Sequence, residues 1–380
     1  MSKSDSRDST GLAVPTPEAP TGKGAEAAEV IRDPSRIASS LGALRLSRYS
    51  GVALWLMFIV VYTIWLPDAF PTSATAKSII NSQAIGGLLA LAVLFPLAAG
   101  VFDLSAAANV TFSSILCAVL MVQAPHLGAG EAIALTLCAG MLIGAFNGFL
   151  VAVVGLDSFM ATLGTTSLLT AGSAILANAN FFGPFPESFT GLTSSEPLGI
   201  PMLGIYLLAF AIIAWYVLEH TPVGRRIYAV GANAEAARLA GVRARRIVFS
   251  QMVICGLVGS VAAVLLASQV NSTNEQVGSP YLLPAYAAAF LGTTQIKPGR
   301  FNVWGTVLAI FLLGTGVQGL QLAGADVWVT DLFNGVALIF AVSVAVLAAR
   351  RTARRERLQA AKAVTEEDDQ LDSEESRTEQ

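Results

Sequence analysis

Residues 131–154 read EAIALTLCAGMLIGAFNGFLVAVV, an apolar run long enough to cross the hydrocarbon core of a bilayer, which takes about 20 residues. It lies inside a longer region, residues 78–224, that contains no lysine and no arginine. Across the chain 54% of the residues are hydrophobic and only 13% are charged. A soluble domain with so few cations could not solvate its surface, whereas a membrane-spanning chain must avoid charges because they are costly at mid-membrane. The sequence therefore predicts an all-α polytopic membrane protein.

Ten segments have the length and composition of membrane spans, so about ten transmembrane helices are predicted. The segments cover approximately residues 49–66, 78–100, 104–123, 131–154, 159–178, 203–219, 247–269, 281–296, 302–322 and 327–348. The second and third lie close together around Pro96 and Asp103, and the eighth is short and has Pro280 and Pro284 at its start. Broken or re-entrant segments are expected at these places, and a count of nine or eleven stays open.

The lysines and arginines indicate the sidedness of these spans. With ten spans, every cluster of basic residues falls on one side of the membrane and only Lys77 falls on the other. The clusters precede the first span, separate the sixth from the seventh, and follow the eighth and the tenth. Because basic loops stay in the cytoplasm, both termini and residues 221–246 are predicted to be cytoplasmic, and residues 179–202 to lie outside.

The transmembrane domain is predicted to cover residues 49–348, between two charged tails. Residues 1–48 are rich in Ser, Pro, Ala and charge, which predicts a disordered cytoplasmic tail rather than a cleaved signal peptide. Residues 349–380 begin with arginines, expected at anionic headgroups, and continue into a solvated acidic run. The net charge of −3 owes much to these tails, and nothing in the sequence predicts a nucleic-acid partner.

The absence of certain sequence motifs argues against metal binding, nucleotide binding and catalysis. The three cysteines lie inside predicted spans and the two histidines are far apart, so no metal site is predicted. No Gly-x-x-x-x-Gly-Lys-Ser/Thr loop occurs, so the chain is expected to bind no ATP by that route, and no cofactor is predicted. Motifs of zinc proteases and serine hydrolases are absent as well, so no catalytic residue is predicted.

The most informative polar stretch is the predicted cytoplasmic loop, where residues 221–242 read TPVGRRIYAVGANAEAARLAGV. Asn233 is a favourable N-cap, and Glu235, Ala236 and Ala237 favour a short helix that Gly241 ends. The small alanine side chains would let another surface approach closely. A basic loop that only fixes topology is the alternative, but it would not require a capped helix between two glycine turns.

This loop resembles the signature loop of ABC importer permeases of the ribose, xylose and galactoside class. Glu235-Ala-Ala and Gly241 have the spacing of the EAA loop, by which such permeases dock on their ATPase subunit. Looser matches to the same family occur elsewhere, namely FDLS at 102–105, SFMATLGT at 158–165, GTT at 292–294 and WGT at 304–306. The resemblance covers roughly residues 50–345 and implies an ABC importer permease fold.

The resemblance also implies partners and a coupling site. The residues it assigns to coupling with the ATPase are Gly224, Arg225, Asn233, Glu235, Ala236, Ala237, Arg238 and Gly241. The implied partners are an ABC ATPase subunit that uses ATP, an extracytoplasmic solute-binding protein and a second permease subunit, in a homodimer or a heterodimer. The implied location is a bacterial cell membrane. Departures from the family pattern at Val101 and Phe102 lie near the expected substrate route and leave the solute open.

Polar side chains in or beside the spans are candidates for a substrate pathway, because amide and hydroxyl groups suit a polyhydroxylated solute. The candidates are Asn81, Asp103, Ser105, Asn109, Asn147, Thr162 and Thr165. Each has a structural alternative, since Asp103 could cap the third span and the others could join helices by hydrogen bonds. Gly140, Gly144 and Gly148 share one face of the fourth span and predict a close contact with another helix.

We therefore interpret the chain as the permease subunit of an ATP-driven ABC importer for a monosaccharide or a related small polar solute, and not as an enzyme. An autonomous secondary transporter is the main alternative, although such proteins usually carry paired acids or a lysine within the membrane. A membrane enzyme is disfavoured by the missing catalytic motifs. A nucleoside, a branched-chain amino acid and a furanose signalling molecule stay open as solutes.

Overall fold

The computed structural model describes residues 50–124 and 127–347. Within these ranges the chain is helical, and a single isolated β-bridge pairs Phe182 with Thr273 in connecting segments. The predicted all-α class is confirmed. The predicted tails, residues 1–48 and 349–380, lie outside the described residues.

Thirteen α-helices follow one another in the described part of the chain. They are α1 (Ser50–Trp65), α2 (Ser73–Ala98), α3 (Ala106–Gln123), α4 (Ala129–Gly148), α5 (Ser158–Ala177), α6 (Glu187–Ser194), α7 (Met202–His220), α8 (Pro222–Ala232), α9 (Ala234–Leu239), α10 (Ala244–Val270), α11 (Leu282–Gly292), α12 (Val303–Leu322) and α13 (Trp328–Leu347). A π-helical segment, Phe149–Val154, extends α4. Short 3₁₀ turns, Pro197–Gly199 and Ser279–Tyr281, precede α7 and α11.

Eight of these helices are long and apolar enough to cross a membrane, namely α2, α3, α4 with its extension, α5, α7, α10, α12 and α13. They match eight of the ten predicted segments, which confirms the polytopic architecture and makes the count of ten approximate. The first and eighth segments correspond to α1 and α11, which have only 16 and 11 residues. At about 1.5 Å per residue, α11 is roughly half as long as a bilayer core is thick.

The break expected around Pro96 and Asp103 lies between α2 and α3. α2 passes through Pro96 and ends at Ala98. Gly100 then adopts a φ of 84°, a left-handed conformation that glycine enters at little steric cost and that takes the chain out of the helix. Residues 99–105 therefore form a non-helical connection between two membrane helices.

α2 and α10 form the centre of the bundle. Every residue of α2 from Ala84 to Ala98 is buried, and so is most of the second half of α10. A helix that is apolar on all faces belongs in such an interior. The outer helices differ. Less than a third of the residues in the apolar 18-residue stretch of each is buried in α4, α5, α7 and α13. Their remaining faces are free to contact lipid or another subunit.

The close contact predicted for the glycine face of the fourth span is confirmed, and its partner is α10. A Cβ atom added to Gly256 in α10 would overlap the carbonyl oxygen of Gly140, and one added to Gly144 would overlap that of Met252. Gly148 continues the same face and lies against Phe249. The two helices thus approach through bare backbone, as small residues allow in membrane bundles.

One end of the bundle, which we call the Glu196 end, comprises residues 77–81, 182–196 and 268–273. Lys77 forms an ion pair with Glu196 at 2.6 Å. The side-chain nitrogen of Gln269 donates to the carbonyl oxygen of Asn81 at 3.2 Å. These contacts join the start of α2, the α5–α7 connection and the end of α10.

The opposite end, which we call the Arg300 end, comprises residues 98–100, 219–246 and 297–301. The Tyr228 hydroxyl donates to the carbonyl oxygen of Phe301 at 2.8 Å, and Lys297 forms an ion pair with Glu219. Lys77 is the one basic residue of the described ranges that lies at the Glu196 end, since all others fall in residues 225–246 and 297–300. The segments gathered at each end are those that the alternating topology assigns to one side of a membrane.

Candidate functional site

The loop that follows α7 folds into a pair of helices, α8 and α9, at the Arg300 end. Thr221 caps α8, its hydroxyl oxygen accepting from the backbone nitrogen of Gly224 at 3.3 Å, and Pro222 occupies the first helical position, where its missing N–H costs nothing. Ile227 and Val230 are buried on one face of the helix. α8 is therefore docked on the bundle rather than free in solvent.

Two glycines and one aromatic ring hold α8 in place. A Cβ on Gly224 would overlap the carbonyl oxygen of Leu218, and a Cβ on Gly231 would overlap that of Ala98. On another side of the helix, the Arg300 guanidinium lies 3.8 Å from the ring centroid of Tyr228, a cation–π contact. Burial raises the pKa of the Tyr228 phenol, and the nearby Arg300 charge opposes that rise.

α9 forms where the sequence predicts a short capped helix. The side-chain oxygen of Asn233 accepts from the backbone nitrogens of Glu235 and Ala236, both at 3.0 Å. Two of the orphan donors of the first turn are thereby satisfied. The predicted N-cap is confirmed.

The end of α9 is also as predicted. The backbone nitrogen of Val242 donates to the Ala237 carbonyl oxygen at 2.9 Å, and that of Gly241 donates to the Arg238 carbonyl oxygen at 3.0 Å. This pair of bonds is a Schellman motif, which needs a left-handed residue after the helix. Gly241 supplies it with a φ of 83°.

The exposed face of α9 differs from the one that the sequence suggests. Ala237 is only 6% exposed and packs inside the chain, so its small size serves internal packing rather than a partner. Ala236 is exposed, and Leu239 is 80% exposed. Arg238 pairs with Glu235 one turn earlier at 2.5 Å, which lowers the pKa of the Glu235 carboxyl through the hydrogen bond and the opposite charge. Arg238 is thus already paired within α9.

The second group of candidate residues surrounds the connection between α2 and α3. Asp103 is 2% exposed, and one of its carboxylate oxygens accepts from the Ser105 backbone nitrogen at 3.1 Å and from the Ser105 hydroxyl at 2.6 Å. The Asn147 amide nitrogen donates to the Ser105 hydroxyl at 2.7 Å. The N-cap of α3 is Ser105, and the Asp103 carboxylate bonds to Ser105 itself rather than to an N–H group of the first helical turn. The capping alternative for Asp103 is therefore wrong, and its carboxylate instead orders the connection that precedes α3.

Side chains from other helices satisfy the backbone of this connection. The backbone nitrogens of Phe102, Asp103 and Leu104 donate to the hydroxyls of Ser158, Tyr286 and Thr162, each at 3.1 Å. The Tyr286 hydroxyl in turn donates to the Asp103 carbonyl oxygen at 2.9 Å. Non-helical backbone inside a helix bundle is stable only when the surrounding protein satisfies its polar groups in this way.

The remaining inner candidates are also used inside the bundle. The Asn109 amide donates to the Gly256 carbonyl oxygen at 2.9 Å, which links α3 to α10, and the Thr165 hydroxyl bonds within α5. Asn147 is fully buried, and its side-chain oxygen has no hydrogen-bond partner in the described part of the chain. Six of the seven pathway candidates thus line the bundle interior.

Asn81 is separate from the other six and lies at the Glu196 end, where it faces a cavity together with Gln269 and Asn271. Sequence reasoning missed these two partners, as well as Tyr286 and the exposed Leu239. Tyr286 lies in an apolar run whose pattern does not mark it. Among residues 50–124 and 127–347, no group of His, Cys, Asp and Glu could hold a metal ion.

Comparison with known families fits this architecture. A family model described as the permease component of the branched-chain amino acid transport system matches residues 75–342, more than half of the chain. The chain belongs to this permease family. It is therefore a multi-pass membrane transport subunit rather than an enzyme.

The permease also resembles curated import permeases along most of its length. It is 30% identical to the ribose import permease protein RbsC of Escherichia coli strain K12 over 308 residues, which are 77% of this chain and 91% of that one. It is 31% identical to the autoinducer 2 import system permease protein LsrD of Photorhabdus luminescens over 263 residues, 67% of this chain and 78% of that one. LsrD of Salmonella typhimurium is 30% identical over 262 residues, which are 67% of this chain and 78% of that one. No solved structure matches.

Proposed function

We propose that this permease carries a monosaccharide or a furanose-like solute across a bacterial cell membrane, driven by ATP hydrolysis in a separate ABC ATPase. Its partners would be that ATPase, an extracytoplasmic solute-binding protein and a second permease subunit. The substrate class is supported by the names of the relatives, which import ribose and autoinducer 2. We assign ATP hydrolysis to a separate subunit, since residues 1–380 contain no Gly-x-x-x-x-Gly-Lys-Ser/Thr loop.

The observation that carries the proposal is the geometry of α9. It is capped at both ends, yet it leaves Ala236 and Leu239 exposed at the Arg300 end. A six-residue helix is far too short to be stable alone, so its two caps and its contact with α8 fix it as a rigid element. A rigid helix with an exposed apolar residue is suited to fit a groove on another protein, and the ATPase is the partner we assign to it.

Direct contacts connect α9 and α8 to the membrane helices. α8 packs against Ala98 at the end of α2. The connection from α2 to α3 then contains Asp103, which is hydrogen-bonded to other helices. Movement of the ATPases would displace α8 and α9 and shift α2 against α3. Such a shift would bias the permease pair toward one face of the membrane.

The proposal has a direct test in proteoliposomes. The purified permease should show no ATPase activity, and uptake should require the ATPase subunit and ATP. Uptake by the permease alone, driven by a proton or sodium gradient, would refute the proposal in favour of a secondary transporter.

A further inference from the structure

A polar cavity of about 290 Å³ opens at the Glu196 end of the bundle. Residues from α2, α6, α10 and the adjoining connections line it, among them Asn81, Thr193, Glu196, Ser268, Gln269 and Asn271. Ser268 is buried at its base, Asn81 and Gln269 are half-buried, and Glu196 and Asn271 are exposed at its rim. The cavity is thus concave, with its polar groups at several depths.

The lining of this cavity is almost entirely hydrogen-bonding. Apart from Pro201, every lining side chain carries an amide, a hydroxyl or a carboxylate. The Asn81 side chain makes no hydrogen bond in the described part of the chain, although its backbone oxygen accepts from Gln269. One donor group and one acceptor of Asn81 are therefore available to a solute.

The charge of the cavity narrows the class of solute. Glu196 is its single charged lining residue and is paired with Lys77 at 2.6 Å. An amino acid would bring a carboxylate into a site whose lining carries no cation, and its ammonium group would have to compete with Lys77 for Glu196. A branched aliphatic side chain would meet a lining that is mostly polar. A neutral solute rich in hydroxyl groups fits both features.

We propose that this cavity is an access subsite of the permease, where a neutral polyhydroxylated solute of monosaccharide size first contacts the permease after its release from the solute-binding protein, with Asn81 as its main contact. The proposal rests on the proposed function, because it takes the Glu196 end to be extracytoplasmic. The volume lies near the lower limit of small-molecule sites, roughly 300–1,000 Å³, as a solute of a few carbons requires. No aromatic ring lines the cavity, so binding is weak, which suits a site that must release its solute onward.

The test is saturation-transfer NMR on the full-length permease in lipid nanodiscs, with D-ribose and L-leucine as probes. We expect a ribose signal and no leucine signal from the unaltered protein. Asn81→Leu removes both hydrogen-bonding groups at similar volume and should weaken ribose binding about tenfold. Gln269→Leu is a second variant on the other wall, with the same expected direction. Ser82→Ala is the matched control, since Ser82 is adjacent to Asn81 but lies outside the cavity lining.

The outcomes separate this proposal from the proposed function. Loss of the ribose signal in both leucine variants, with Ser82→Ala unchanged and all proteins equally folded, supports the subsite. An equal ribose signal in Asn81→Leu, or none in the unaltered protein, overturns it. If the variants instead weaken only docking of a solute-binding protein, the cavity is a docking surface and the subsite is again overturned. Failure of the chain to associate with an ATPase is measured separately and refutes the importer function alone.

Discussion

Gly231 in α8 lies directly against the carbonyl oxygen of Ala98 at the end of α2, with no room for a side chain between them. Gly100 faces the same point, where its own Cβ would lie 3.3 Å from the Gly231 Cα. The paired glycines thus connect the α8–α9 unit to a helix that runs through the centre of the bundle.

Gly231→Ala should push α8 away from α2. Overpacking of this kind lowers the free energy of unfolding by about 1–3 kcal/mol. The atoms nearest the added Cβ belong to the backbone of Ala98 and Ala99, and they cannot rotate away as a side chain could. We expect a lower thermal unfolding midpoint and strongly reduced uptake. Gly335→Ala in α13 is the control, because its Cβ would meet nothing within 4 Å. Equal midpoints and uptake in both variants would show that α8 adapts freely.

Gly241→Val should misplace α9, because the left-handed conformation costs about 1–2 kcal/mol for a residue with a Cβ. The strain is purely in the backbone, since no atom lies within 4 Å of an added Cβ. Gly241→Asn is the matched control, as asparagine tolerates this conformation. We expect the valine variant to lose ATPase co-purification and the asparagine variant to keep it. Identical behaviour of the two would contradict a role for the Schellman turn.

Leu239→Glu should abolish association with the ATPase while leaving the permease folded, because Leu239 is exposed in the isolated chain. Ala236→Trp should have the same effect by steric exclusion. Ala237→Trp, by contrast, should disturb α9 itself, because Ala237 is buried. Co-purification together with the thermal midpoint distinguishes these cases. If the Leu239→Glu variant still assembled fully with the ATPase, this loop would serve only to fix the topology of the chain.

Asp103→Asn should remain close to the unaltered protein, since its side-chain oxygen can still accept from Ser105. Asp103→Ala should lose roughly 1–3 kcal/mol of stability, the usual cost of leaving a buried donor unsatisfied. Thermal unfolding and uptake measure the two effects. A folded Asp103→Asn variant without uptake would show that a carboxylate is needed, and would favour ion-coupled transport.

Single cysteines at Ser194 and Ala234 should react with a membrane-impermeant maleimide from opposite sides of the membrane. Both positions are exposed and lie at the two ends of the bundle. Both variants should also carry Cys138→Ser, because the native Cys138 is exposed and could react with the maleimide, whereas Cys117 and Cys255 are buried. Labelling of both positions from the same side would overturn the topology and the coupling assignment together.

The sequence alone determined the all-α membrane architecture, because the exclusion of charge from a bilayer acts on composition and needs no long-range contact. It also determined α9 with Asn233 and Gly241, because capping depends on residues a few positions apart. The glycine face of α4 was predicted, but its partner α10 was not, since a pattern on one helix does not identify the helix that it meets.

Tertiary structure decided which polar side chains are used in hydrogen bonds between helices and which remain available to a solute. Asn109 and Thr162 carry the same chemical groups as other pathway candidates, yet their bonds run to α10 and to the connection before α3. Asn81 instead faces a polar cavity, beside residues that follow it by more than 100 positions. Likewise, Ala236 and Ala237 are identical in sequence, but only one of them is exposed. Exposure and hydrogen-bond satisfaction depend on neighbours that folding brings together, so only the three-dimensional arrangement could assign them.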